Sequence, residues 1–223
     1  MDIPELKEKI LNGKSAELKK AIKFSVKNNT KEVGQYLYQA FNKTKGNSNK
    51  WALQVELIKA LGLLEYKDAA QDVKEIIDQD KAHDMITIAA ATALVQLTRK
   101  NKDDVSPVIN LLDKGISVIT GALIALALQK SQPDDNSAEI IMEKTLNINK
   151  HPDRIDHEYG LIDPRQYVAI SAALWNENII KGYLNHCIDT AYNINRFGKP
   201  VENHNLITVC ENSLKGKISK GYI

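Results

Sequence analysis

With 223 residues the chain is long enough to bury a sizeable core, either in one extended domain or in a short repeat array. Hydrophobic residues at 43% and charged residues at 26% are ordinary for a globular protein and argue against intrinsic disorder and against a membrane-embedded chain. The net charge of +2 conceals an asymmetry: residues 1–50 carry 11 basic against 5 acidic side chains, residues 51–150 carry 11 against 15, and residues 151–223 carry 8 against 8.

So weak a balance gives little basis for gripping nucleic acid, and a solvated helix face accounts for Lys14, Lys19, Lys20, Lys23 and Lys27. The opening residues are charged from Asp2 and hold no apolar leader segment. The longest apolar run, residues 118–128, is broken by Thr120 and Gly121 and falls short of the roughly 20 residues that cross a bilayer. A cytoplasmic location with no membrane partner is the expectation. Cys187 and Cys210 lack CxxC spacing and further ligands, so they read as reduced core thiols, with no zinc site and no disulfide framework.

Apolar residues recur at spacings of three and four along most of the chain, the pattern of amphipathic helices, and strand alternation is nearly absent. A first helix is predicted over residues 3–11, stopped near Asn12-Gly13, and a second from Ser15 to about Val26. Thr30 opens a third, with Val33, Leu37, Ala40 and Phe41 facing inward. The polar stretch 43–50 reads as a loop. A long helix over 51–64 and a shorter one over 69–77 then form a unit that recurs as 85–97 with 104–112, and again as 116–128 with 137–146.

The Ala-Leu pairs Ala60-Leu61, Ala93-Leu94 and Ala127-Leu128 lie 33 and 34 residues apart, a period expected of stacked helical repeats. One helix pair cannot bury its apolar stripe alone, whereas stacked pairs make a continuous core in which alanine permits close approach. Residues 51–146 carry the clear repeats. Residues 147–162 break the pattern and form an irregular, polar connection. Asp163-Pro164 then opens a helix to about Trp175, and helices follow over roughly 180–194 and 205–214, with a frayed tail from Gly216.

The segments ALQVELIKALGLL…DAAQDVKEIID, ITIAAATALVQL…VSPVINLLD and VITGALIALALQ…SAEIIMEKTL resemble HEAT-type repeats, in particular the short bacterial version with a degenerate Ala-Leu signature. The resemblance implies an all-α fold, a right-handed α-solenoid of antiparallel helix pairs forming a single domain over 1–223 with a concave face of inner helices. In that family a Gly-Asp often follows the Ala-Leu helix. Here the turns are Glu65-Tyr66-Lys67-Asp68 and Lys100-Asn101-Lys102-Asp103. Most relatives of this kind are protein-binding scaffolds, inhibitors or adaptors.

No phosphate-cradling glycine loop, HExxH or GxSxG motif occurs, so no catalytic residue and no cofactor is assigned. The irregular segment gathers His151, Asp153, Asp156, His157 and Glu158, enough ligands for a metal or an acid–base pair but without helical spacing to set their geometry, together with Arg154 and Tyr159. It reads instead as a partner-binding surface, built from Arg154, Asp156, His157, Glu158 and Tyr159 with Arg165 beyond it, because loops carry recognition and Arg and Tyr are favoured anchors. Trp51 and Trp175 invite comparison with the tryptophan-lined groove of HEAT-like alkylpurine DNA glycosylases, but both sit in helical stripes where core packing explains them, and the middle of the chain is acidic. The expected function is a non-enzymatic protein-binding module, most concretely a cytoplasmic inhibitor or immunity protein that blocks a toxin or other partner protein by occlusion. A nucleic-acid-binding or glycosylase-type protein, and a generic adaptor or lyase-like chaperone, are the alternatives.

Overall fold

Nearly every apolar stripe becomes a helix. The computed structural model describes residues 1–81, 84–148, 163–194, 199–219 and 221, Ile194 by its backbone alone. Among these residues are twelve α-helices and one pair of short strands, an all-α fold with a single small β element. The chain divides into two compact units, Met1–Thr98 and Arg99–Ile223.

The first unit holds α1 (Ile3–Leu11), α2 (Ser15–Lys27), α3 (Gly34–Thr44), α4 (Trp51–Leu63), α5 (Ala70–Ile77) and α6 (Met85–Thr98). The Asp2 carboxylate accepts the Glu5 N–H at 2.8 Å and Pro4 sits in the first turn, so α1 starts where free N–H groups are fewest. Helices α2, α4 and α6 pack in succession, α1 lies against α2 and α3, α3 against α4, and α5 against α6. Three helix pairs thus line up within this unit. The core between them holds Leu6, Leu37, Phe41, Leu57, Ile58, Leu61 and Ile77, each no more than 1% exposed.

Helices α4 and α6 come close together at Gly62. A Cβ on Gly62 would lie 2.7 Å from Ala93 Cα and 2.9 Å from Ala93 Cβ, so hydrogen at one position and a methyl at the other set the spacing of the two helices. The same small residues make the Ala-Leu periodicity: Ala60, Ala93 and Ala127 are all buried, whereas the paired leucines drift from buried Leu61 through half-buried Leu94 to exposed Leu128.

Helix α4 stops with the Tyr66 N–H on the Leu61 carbonyl at 3.0 Å and the Glu65 N–H on Gly62 at 3.0 Å, with Glu65 in the left-handed region at φ 55°. Helix α2 ends the same way at Asn29 (φ 50°), through Thr30 N–H to Ser25 and Asn29 N–H to Val26. A 3-10 turn follows each, Lys31–Val33 before α3 and Lys67–Ala69 before α5. The lysines that open these turns reach to the end of the next long helix, Lys31 to Glu65 at 2.7 Å and Lys67 to the Leu97 carbonyl. Tyr38 on α3 donates to Asp72 on α5, and Lys45 pairs with the same carboxylate at 2.5 Å. The helix, 3-10 turn and helix arrangement of residues 51–77 therefore also occurs at residues 15–44, with Val33, Leu37 and Phe41 corresponding to Ala69, Val73 and Ile77.

In the second unit are α7 (Ser106–Ile109), α8 (Ile116–Gln129), α9 (Asp135–Thr145), α10 (Arg165–Ala172), α11 (Glu177–Asp189) and α12 (His204–Leu214). Helices α8, α10 and α12 pack in succession, and α7, α9 and α11 make a second row against them. Helix α8 ends at Lys130 (φ 51°) with the Ser131 N–H on Leu126. The Ser131 hydroxyl bonds the Lys102 carbonyl at 2.7 Å and the Gln132 N–H bonds Asp103 at 2.8 Å, again tying the turn before a short helix to the end of the long one after it.

Three expectations are corrected here. Only one helical turn forms in 104–112, since Leu111, Leu112 and Lys114 donate three residues back rather than four and continue as turns. Helix α11 ends at Asp189, and Tyr192–Ile194 forms a strand, β1, antiparallel to β2 (Pro200–Glu202), with Tyr192 opposite Glu202. The described part of the tail is tied back rather than frayed: Lys217 N–H bonds Asn212 O at 2.9 Å, and Ser219 is 5% exposed.

The spacing at Gly62 predicts that Gly62→Ala destabilises by about 1–3 kcal/mol, because the clash with the Ala93 backbone outweighs the helix-propensity gain of about 1 kcal/mol. A methyl group added at Gly182 in α11 would meet nothing within 4 Å, so Gly182→Ala should stabilise by roughly 0.5–1 kcal/mol. Urea denaturation of both variants measures the opposite signs. A second expectation concerns acid. The Lys45 ammonium and then the Tyr38 hydroxyl hold the Asp72 carboxyl below its ordinary value of 3.8, so its contribution is complete above that value and is lost as pH falls through the depressed one. The stability advantage of the natural chain over Asp72→Asn should be present at about pH 6 and shrink towards about pH 3 in urea titrations.

Candidate functional site

Five residues expected to bind a partner, Arg154, Asp156, His157, Glu158 and Tyr159, lie outside the described residues, as do His151 and Asp153. Arg165 is corrected. Its side chain is 0% exposed, so it is not a surface anchor.

Arg165 instead organises a buried polar junction in the second unit. Its guanidinium grips Asp163 through Nε at 3.1 Å and Nη2 at 2.8 Å, and reaches the Thr190 hydroxyl at 2.6 Å and carbonyl at 3.1 Å. Asp163, two residues before the first residue of α10, also accepts the Arg165 backbone N–H at 3.0 Å. The Thr190 hydroxyl donates to the His186 carbonyl at 2.7 Å, so the ion pair joins the start of α10 to the end of α11, where Thr190 is the cap. Burial works against the Arg165 charge, but the Asp163 carboxylate wins and holds its pKa above the ordinary value.

Cys187 and Cys210 are buried free thiols beside this junction. The Cys210 thiol, hydrogen-bonded to Cys187, pulls the Cys187 pKa down against the effect of burial, with help from the Arg165 charge, and Cys210 is pushed up in turn. Tyr183 meets the Thr145 hydroxyl at 3.0 Å, and burial raises its pKa. Apart from half-buried Thr190, no side chain of this cluster is more than 5% exposed, so its work is structural. Among the described residues no group of three or more His, Cys, Asp or Glu side chains is placed to hold a metal, and no helix is long and apolar enough to cross a membrane.

Large apolar side chains stand exposed in both units, among them Trp51, Leu63 and Met85 in the first and Leu128, Tyr192 and Val201 in the second. Trp51, expected in the core, is 51% exposed, because it is the first residue of α4 and stands off the stripe buried by α3 and α6. Met85, first residue of α6, is 47% exposed. Gly62 lies against Ala93, and Lys67, just past α4, reaches the Leu97 carbonyl late in α6, so the two helices run parallel and Trp51 and Met85 mark the same end of the row. They are 34 residues apart, at the repeat period. Trp175, by contrast, is half-buried, and its indole N–H bonds the Ser131 carbonyl at 2.9 Å, as core packing requires. The sequence signal for the exposed pair was the position of each large residue at a helix start, ahead of the inward stripe.

The buried ion pair gives a direct test. Arg165→Met leaves the Asp163 charge buried and unpaired and should cost about 3–5 kcal/mol. Arg165→Met with Asp163→Asn removes that charge and should recover about 1 kcal/mol or more of the loss in urea denaturation. Simple addition of the two single-variant losses would mean that the pair is not coupled. No family model, curated protein or solved structure matches this chain.

Proposed function

We propose that the chain is a helical-repeat protein of the HEAT type, a right-handed solenoid of antiparallel helix pairs, that works in the cytoplasm as a non-enzymatic protein-binding module. Most concretely, it is an inhibitor or immunity protein that occludes the working surface of a toxin or another protein. The rows of helix pairs within each unit and the spacings of 33 and 34 residues support the repeat reading.

One observation carries the binding role. Two large apolar side chains, Trp51 and Met85, stand exposed at the same end of two parallel helices, at the period of the repeat, while Leu57, Leu61, Ala89 and Ala93 behind them are buried. Trp is the residue most enriched among energetic anchors of protein interfaces, and Met adapts its shape to irregular partner surfaces. A row of helices offers such anchors at a regular spacing, which a partner of matching shape engages without any chemistry.

The immobilised full-length chain should retain a partner from lysate of its source cell, and Trp51→Ala with Met85→Ala should weaken that complex about thirtyfold or more while the circular dichroism and melting temperature stay unchanged. Arg154→Ala with Tyr159→Ala reports separately on the irregular segment. Equal retention by the natural chain and by both double variants would sink the reading.

A further inference from the structure

The ends of α1, α2, α3 and α4 surround a pocket of about 450 Å³ in the first unit. Its floor is apolar, from Ile10, Leu18 and Leu53. Lys19, Lys43 and Lys50 stand on its rim, and no carboxylate occurs among the described lining residues. That combination, an apolar cavity of a few hundred Å³ with a few convergent charges, is the ordinary form of a small-molecule site. It also gives a location to the excess of basic side chains in residues 1–50.

The rim has a set path. Gln54, 5% exposed, donates its side-chain amide to the Thr44 carbonyl at 2.6 Å and to the Asn47 carbonyl at 2.9 Å, and Asn47 accepts the Asn49 N–H at 3.1 Å. Gly46 at φ 80° makes the turn that lets the chain pass over Gln54. The segment carrying Lys50 is therefore held before any ligand arrives. Helices α2 and α4 both begin at the pocket, α2 with the Glu17 carboxylate accepting the Lys14 N–H at 2.9 Å and α4 with its Trp51 N–H on the Ser48 carbonyl of the preceding 3-10 turn, so the positive charge at the rim is that of the lysines.

We propose that this pocket binds a small organic anion with an apolar body, the body against Ile10, Leu18 and Leu53 and the negative head among Lys19, Lys43 and Lys50. The site goes beyond protein binding and involves neither Trp51 nor Met85, so either reading stands or falls without the other.

The test is an amide-resolved titration of the ¹⁵N-labelled full-length chain with decanoate below its micelle concentration, alongside decanol and acetate. Decanoate should produce saturable shifts centred on Gly13, Asn49 and Leu53, with an affinity about tenfold or more above that of either decanol, which lacks the charge, or acetate, which lacks the body. Lys43 and Lys50 are exposed, so Lys43→Gln with Lys50→Gln should keep the spectrum of the folded chain while weakening decanoate about fivefold and leaving decanol unchanged. The proposal is overturned if decanol binds as tightly as decanoate, if acetate does, if the shifts map elsewhere, or if the double variant binds decanoate as the natural chain does.

Discussion

The first unit depends on how closely α4 can approach α6. At Gly62 and Ala93 the two backbones come near enough that a single methyl group will not fit between them. Everything on either side follows from that spacing. It lets Leu57, Leu61, Ala89 and Ala90 close over each other with no exposure above 1%, and it brings Lys67 within reach of the Leu97 carbonyl. Shape matters here more than hydrophobicity, because a core packed to crystalline density responds to one added carbon.

Helix positions were legible because three- and four-residue spacing is a strong signal, and α1 begins and ends where the pattern places it. Helix ends were less legible for a specific reason. The left-handed residue that closes a helix is usually glycine, but Asn29, Glu65 and Lys130 fill that place here, so the stop carries no glycine mark. The same substitution hid the helix, 3-10 turn and helix arrangement at residues 15–44, since Glu65-Tyr66 does not look like the turn after Asn28 until both are seen to follow a helix and precede a 3-10 turn. The strand pair was invisible for a different reason: three residues per strand are too few for alternation to stand out.

Polar residues were harder to place than apolar ones. Arg165 reads as a surface anchor beside an irregular segment, yet Asp163 two residues before it and Thr190 far along the chain satisfy its guanidinium, and only the fold brings Thr190 there. Trp51 errs in the other direction. An aromatic residue within a helical pattern reads as core, but its place at the first position of α4 turns it outward. The pocket among the first four helices has no local signature at all, since its three lysines come from three elements and read singly as solvated charges.

The burial of the Arg165–Asp163 pair has a consequence for how the protein meets its ionic surroundings. In the first unit the pairs Lys31–Glu65 and Lys45–Asp72 are open to solvent, where mobile ions screen charges within about 8 Å at physiological salt. The pair in the second unit sits where mobile ions do not enter, its side chains 0% and 1% exposed. The joint between α10 and α11 therefore keeps its strength in dilute buffer and in brine alike, while the Lys31–Glu65 and Lys45–Asp72 pairs slacken as salt rises.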